Sequence, residues 1–163
     1  MNIEPCALSY DAIREYTERV GLKHEIYDDE GHADIDGLVK KLGGQVTRGE
    51  RHELVVYQQG EFIISVHDFQ SDRRSRFDKA HALGHYFLHY LYVGHESHRM
   101  FDRTSRGDAE TQANVFAATL MLPESQFRDA FETTGDDYWA LSRVFEVSPA
   151  SAKTRAQILG LAD

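Results

Sequence analysis

Apolar positions along the chain change period several times, and each change marks an element. Within residues 9–20, Ala12, Ile13, Tyr16 and Val20 recur at helical spacing, behind a Ser9 that can cap and ahead of a Gly21 that can stop. Residues 24–34 are acidic and aperiodic and read as a solvated loop, although His24 and His32 there lie among carboxylates and suggest a weak metal site. A short helix is expected over 36–42, ended by Gly43 and Gly44. Strand character then takes over. Residues 54–57 and 62–66 read as a hairpin around Gln58, Gln59 and Gly60, with 45–47 as a third strand. Residues 71–75 read as a polar loop.

Helical spacing returns over 77–92, where Phe77, Ala80, Leu83, Gly84, Phe87, Leu88 and Leu91 form a stripe closed by Gly94. Residues 94–107 are polar and charged and read as a loop, and a second long helix is expected over 108–122. Pro123 breaks it and is placed as the first residue of the next helix. Two more helices are expected over 136–145 and 149–159, the second opened by Ser148-Pro149 and stopped by Gly160. The pattern predicts an α+β fold: a small antiparallel or mixed β-sheet packed on two long helices, with additional C-terminal helices. One domain over 1–163 is expected, its core at about 36–125 and a C-terminal helical segment at about 136–161.

Composition narrows the function. The 163 residues hold 18 Lys and Arg against 27 Asp and Glu, a net charge of −9, which disfavours direct nucleic-acid binding. Hydrophobic residues make up 41%, too many for a disordered chain. No apolar run approaches the roughly 20 residues of a membrane span. The opening residues lack a basic region followed by an apolar stretch, so no secretory signal is expected and a cytoplasmic protein is. The single Cys6 makes neither an internal disulfide nor a cysteine zinc cluster and reads as an incidental thiol.

The unusual count is nine histidines. His81 and His85 are four apart within a predicted helix, so both imidazoles lie on one face and can converge on one metal ion. Random placement of that many histidines gives roughly half a pair at this spacing, so context decides. Glu110, near the start of the next predicted helix, is a candidate third ligand, with Asp108 as the alternative. Three protein ligands with a fourth position open is the pattern of a catalytic zinc site.

The stretch Arg76-Phe77-Asp78-Lys79-Ala80-His81-Ala82-Leu83-Gly84-His85-Tyr86-Phe87-Leu88-His89 resembles the active helix of the ImmA/IrrE family of zinc metallo-endopeptidases, a minimal gluzincin-like fold. That helix reads approximately Arg-Phe-Thr-Leu-Ala-His-Glu-Leu-Gly-His-Tyr-Leu-Leu-His. A second block, from Glu110 through Ala113-Asn114 and Phe116-Ala117-Ala118 to Met121-Leu122-Pro123, is similar too, with Met121-Leu122 in the reverse of the family's frequent order. A weaker third block runs from Phe145 through Arg155 to Leu161. The resemblance covers about residues 36–161 and implies that His81, His85 and Glu110 hold zinc. The donor types alone leave Fe, Co, Ni and Mn open.

The departure is Ala82. The family carries Glu there, as the general base that takes a proton from the attacking water and passes it to the leaving amine. A positioned base contributes about 10²–10⁴-fold, and alanine supplies none while keeping the helix. The chain therefore reads as a metallo-endopeptidase scaffold inactivated at position 82, by a deliberate Glu-to-Ala replacement or, alternatively, as a natural pseudoenzyme. Asp78, one turn before Ala82, reads as a favourable first-turn charge rather than a substitute base. His89 reads as packing or support of the ligands, and Tyr86 as core or rim. His67, His95 and His98 have no spacing argument. Ala113, Ala117 and Ala118 suit a close approach of the two long helices.

By resemblance the partner is a protein, a helix-turn-helix repressor cleaved in a stress response or mobile element. The residues after Asp136, with Val147-Ser148 and Arg155, have a helix-turn-helix outline of their own, read here as part of the peptidase fold. Two alternatives stand beside this: a zinc-bearing interaction module without native catalysis, and the toxin of a toxin–antitoxin pair.

Overall fold

The computed structural model describes residues 3–103 and 105–163. Helix α1 (Tyr10–Lys23) begins where Ser9 accepts a hydrogen bond from the Ala12 amide at 3.1 Å. It does not stop at Gly21 but runs one residue pair further. Gly21 is instead a packing position, lying under the Tyr27 ring where a Cβ would collide. Asp34 caps α2 (Ile35–Lys41) by accepting from the Gly37 amide at 2.9 Å.

Strands β1 (Gly44–Arg48), β2 (His52–Gln58), β3 (Glu61–Val66) and β4 (Arg99–Asp102) make one mixed sheet in the order β1-β3-β2-β4. β1 is parallel to β3, and β2 is antiparallel to both β3 and β4. Period-two alternation puts Leu54, Val56, Phe62, Ile64 and Val66 inward, with Leu54 opposite Ile64 and Val56 opposite Phe62. The hairpin turn is pinned to the helical layer. The Gly60 amide donates to the Tyr86 hydroxyl at 3.0 Å, and the Tyr86 ring stacks on Phe62 with centroids 4.2 Å apart.

Helix α3 (Asp72–Tyr86) packs across β2 and β3, and its axis continues as a π-helical turn over Phe87–Leu91. Two expectations are corrected here. Residues 71–75 are not a loop: Ser71 accepts from the Arg74 amide at 3.3 Å and caps α3, whose first turn is charged because it faces solvent. Residues 94–107 are not wholly a loop either, since β4 lies within them.

Helix α4 (Asp108–Met121) lies against α3. The approach is tight because Gly84 meets it: a Cβ there would sit 3.0 Å from the Ala113 backbone. Phe116 stacks on Phe87 with centroids 5.4 Å apart, and its full burial stabilises the layer by about 1.5–3 kcal/mol. Pro123 is the N-cap of α5 (Glu124–Thr134) rather than its first residue. Helices α6 (Tyr138–Phe145) and α7 (Pro149–Ile158) complete the chain. The fold is α+β, as the pattern predicts, with a mixed sheet. No helix among the described residues is long and apolar enough to cross a membrane.

Candidate metal centre

The two long helices and the sheet meet at one cluster. His81 and His85 sit one turn apart on α3, and Glu110 reaches them from the first turn of α4. His81 Nε2 lies 2.8 Å from Glu110 Oε2, and His85 Nε2 lies 3.0 Å from Glu110 Oε1. A fourth residue joins them, and sequence reasoning missed it. Glu53 Oε1 is 3.2 Å from His85 Nε2 and 3.6 Å from His81 Nε2. One donor atom from each of the four lies within 4.8 Å of all the others.

Glu53 enters because the sheet slips. The β2–β4 register shifts between His52 and Leu54: His52 pairs with Asp102, yet Leu54 pairs with Phe101. One extra residue on β2, Glu53, is therefore left out of the ladder. A bulge of this kind re-aims a side chain. Strict alternation puts Glu53 on the face opposite Leu54, but both are buried. No local sequence signal announces that slip.

Hydrogen bonds set which ring nitrogen faces the cluster. The Cys6 amide donates to Gln112 Oε1 at 3.0 Å, and Gln112 Nε2 donates back to the Cys6 carbonyl at 3.0 Å, which orients the Gln112 amide. His89 Nε2–H then donates to Gln112 Oε1 at 2.8 Å. Burial holds His89 neutral by lowering its pKa to about 4, so its Nδ1 is bare and accepts from His85 Nδ1–H at 2.9 Å. That bond turns His85 Nε2 toward the carboxylates of the cluster. On the other ligand His81 Nδ1–H donates to Asn114 Oδ1 at 2.8 Å, which aims His81 Nε2 the same way. The π-helical turn carries His89, whose backbone carbonyl accepts from Arg99 at 2.9 Å.

Electrostatics show what the cluster lacks. Burial works to lower the His81 pKa, but the Glu110 and Glu53 carboxylates outweigh it and hold it up at about 10. Burial works to raise Glu110, yet His81 and His85 outweigh it and leave it at about 2. Glu53 is lowered too, with its burial overcome by the same histidines. Protons thus stand in for a cation between two carboxylates. Even so, Glu53 Oε1, His85 Nε2 and Glu110 Oε1 are buried and make no hydrogen bond. Buried polar atoms without partners are costly unless something fills the space between them. Imidazole nitrogens and carboxylate oxygens are the donor types zinc takes. The residues fit a metal ion.

The other candidates sort out cleanly. Ala82 is fully buried in the hydrophobic core, one residue from a donor and without a donor of its own. Asp78 lines the cleft but is held by Gln70 at 2.8 Å and Arg74 at 3.3 Å. Asp108 is exposed at the start of α4 and lies outside the cluster. His67 and Arg103 line the cleft, while His95 rests on Tyr90 and His98 on Tyr57. His24 and His32 join no metal-binding group among the described residues, and His32 Nε2 instead faces Glu146 at 3.3 Å. Arg155, half of the helix-turn-helix outline, is buried and spent on the Leu122 carbonyl and Glu18, each at 3.0 Å. The cleft above the donors has a volume of about 190 Å³. A larger groove of about 550 Å³ shares Arg74, Phe77 and Asn114 with it and runs on to α7.

The IrrE N-terminal-like domain family, Peptidase_M78, matches residues 35–157, and the chain belongs to that family of zinc-dependent peptidases. The curated proteins include no match to it.

Proposed function

We propose that this chain is a zinc-binding metallo-endopeptidase scaffold whose hydrolytic step is silenced at Ala82, and that its partner is a helix-turn-helix repressor. The observation that supports the reading is the set of converging donors beside a buried methyl group: His81, His85 and Glu110 meet at one point, and position 82 supplies no carboxylate. Zinc bound there supplies Lewis acidity toward a peptide carbonyl. The chain's own residues do the rest. Asn114 and the His89–Gln112 pair orient the imidazoles, α3 and α4 hold the donors in place, and the groove that leaves the cleft suits an extended peptide. Loss of the base lowers hydrolysis by about 10²–10⁴-fold.

Metal content measured by mass spectrometry on the purified chain, against His81→Ala, tests the binding half. About one zinc per chain, lost in the variant, is expected. Ala82→Glu tests the silenced half. Incubated with helix-turn-helix repressors encoded nearby, a silenced peptidase regains cleavage of its cognate repressor. Rapid cleavage by the unchanged chain overturns the proposal.

A natural pseudoenzyme is the second reading, and Glu53 is the observation that favours it. A replacement made only to silence an active enzyme leaves no reason for a second buried carboxylate against the same two histidines.

A further inference from the structure

We infer that Glu53 is a fourth protein ligand, closing the metal site that the metallopeptidase family leaves open. The inference rests on the metal-binding reading above and goes beyond it, because it changes the class of site.

Distances carry the argument. Four donors at about 2.0–2.1 Å from a tetrahedral zinc lie about 3.3 Å from one another. Glu53 Oε1 is 3.2 Å from His85 Nε2 and 3.6 Å from His81 Nε2, and Glu110 oxygens are 2.8 and 3.0 Å from the same nitrogens. Glu53 Oε1 therefore keeps the spacing from both histidine nitrogens that a fourth vertex requires. Its Oε1 is buried without a hydrogen bond, like His85 Nε2 and Glu110 Oε1 beside it. The other end of the argument is the backbone. The slipped β2–β4 register is what releases Glu53 from the ladder. A bulge spent on placing one buried carboxylate is a built feature.

Catalytic zinc sites keep one position open, and structural ones fill all four with protein. A His₂Glu₂ site has no open position at rest, so a peptide carbonyl would reach the metal only by displacing a carboxylate or as a fifth ligand. Ala82 and Glu53 then belong together. With Glu53 as a ligand, a bound metal would tie β2 to α3 and α4.

The test compares the full chain with Glu53→Ala and Glu53→Gln, each checked for folding by circular dichroism. Zinc affinity is read by competition with a chromophoric chelator, and coordination by the visible spectrum of the cobalt(II)-substituted protein. Loss of a mere outer partner costs about 10–100-fold in metal affinity, so Glu53→Ala is expected to lose at least that. The unchanged chain should give the intense visible bands of four-coordinate cobalt, and the variants weaker bands as solvent enters. Unchanged affinity and an unchanged spectrum in both variants overturn the inference and leave the metal-binding reading standing. A general-base role for Glu53 shows as Glu53→Gln keeping both affinity and spectrum, and it also overturns the inference. A full-length chain that takes up neither zinc nor cobalt overturns both readings.

Discussion

Two regions of this molecule place histidines among carboxylates, and only one brings their donor atoms together. In the 24–34 loop, Asp28 Oδ1 accepts from the backbone amides of Glu30 and His32, both at 2.9 Å, and the amide of His32 chiefly holds the Asp28 carboxyl below its usual range. The Asp28 carboxylate there is taken by the loop's own amides, and His32 Nε2 faces Glu146 at 3.3 Å instead. In the cleft the histidine backbone is already paired within helix α3. Carboxylate and imidazole lone pairs there have only one another to face, and three atoms stay unbonded. Composition proposes a site, but convergence on rigid elements makes one.

The largest break in that comparison comes from prising the rigid elements apart. Gly84→Val puts a branched side chain where even a Cβ meets Ala113 backbone at 3.0 Å. Backbone cannot swing aside, so α4 must shift and carry Glu110 away from the histidines. The expected cost is about 1–3 kcal/mol in a denaturant melt, with weakened zinc uptake in the same preparation. A variant that melts and binds like the parent would show that the helix contact does not set the site.

Next comes the support behind the ligands. His89→Phe keeps a buried ring but removes the acceptor for His85 Nδ1–H and the donor to Gln112. Zinc affinity should fall by about 10–100-fold, as for other outer-sphere partners. Little change would mean that helix geometry alone fixes the His85 ring.

Proton competition gives a smaller and graded effect. His81 holds its proton up to about 10 in the metal-free protein because the two carboxylates outweigh burial. Zinc must expel that proton, so binding is stronger at higher pH and weakens as pH falls below about 10. One displaced proton gives up to about tenfold per pH unit, read by chelator competition at pH 6, 7 and 8 and constant ionic strength. A pH-independent affinity would show that His81 is already bare.

The chain announces some of this arrangement and hides the rest. His81 and His85 are legible because helical spacing is local, and Glu110 because its block starts a helix. The sheet hairpin is legible because Leu54, Val56, Phe62 and Ile64 alternate cleanly. Strand β4 is not, since of Arg99-Met100-Phe101-Asp102 only Phe101 is fully buried, too little to show a period. The first turn of α3 hides behind solvent-facing charges. Glu53 is invisible for a different reason: alternation itself points it the wrong way, and only pairing with β4, a partner that sequence reasoning did not see, creates the slip. The Gln112 link to Cys6 spans 106 residues, beyond the reach of any local pattern.

The smallest effect is expected from the loop, and it sharpens the comparison by contrast. Asp28→Ala removes two exposed hydrogen bonds from the loop backbone, whose freed amides then turn to water. Asp side chains that bond amides two and four residues on stabilise a turn locally, and exposed bonds of this kind are worth at most about 1 kcal/mol. Its pKa is depressed in the fold, so whatever it contributes is present above the unfolded value and fades as pH falls through the folded one. Zinc affinity should not change at all, because no donor atom of the cluster touches the loop. A slightly earlier melt with intact zinc binding is the expected pair of results. Loss of zinc in Asp28→Ala would instead place the metal in the acidic loop, with the buried quartet of Glu53, His81, His85 and Glu110 holding only protons.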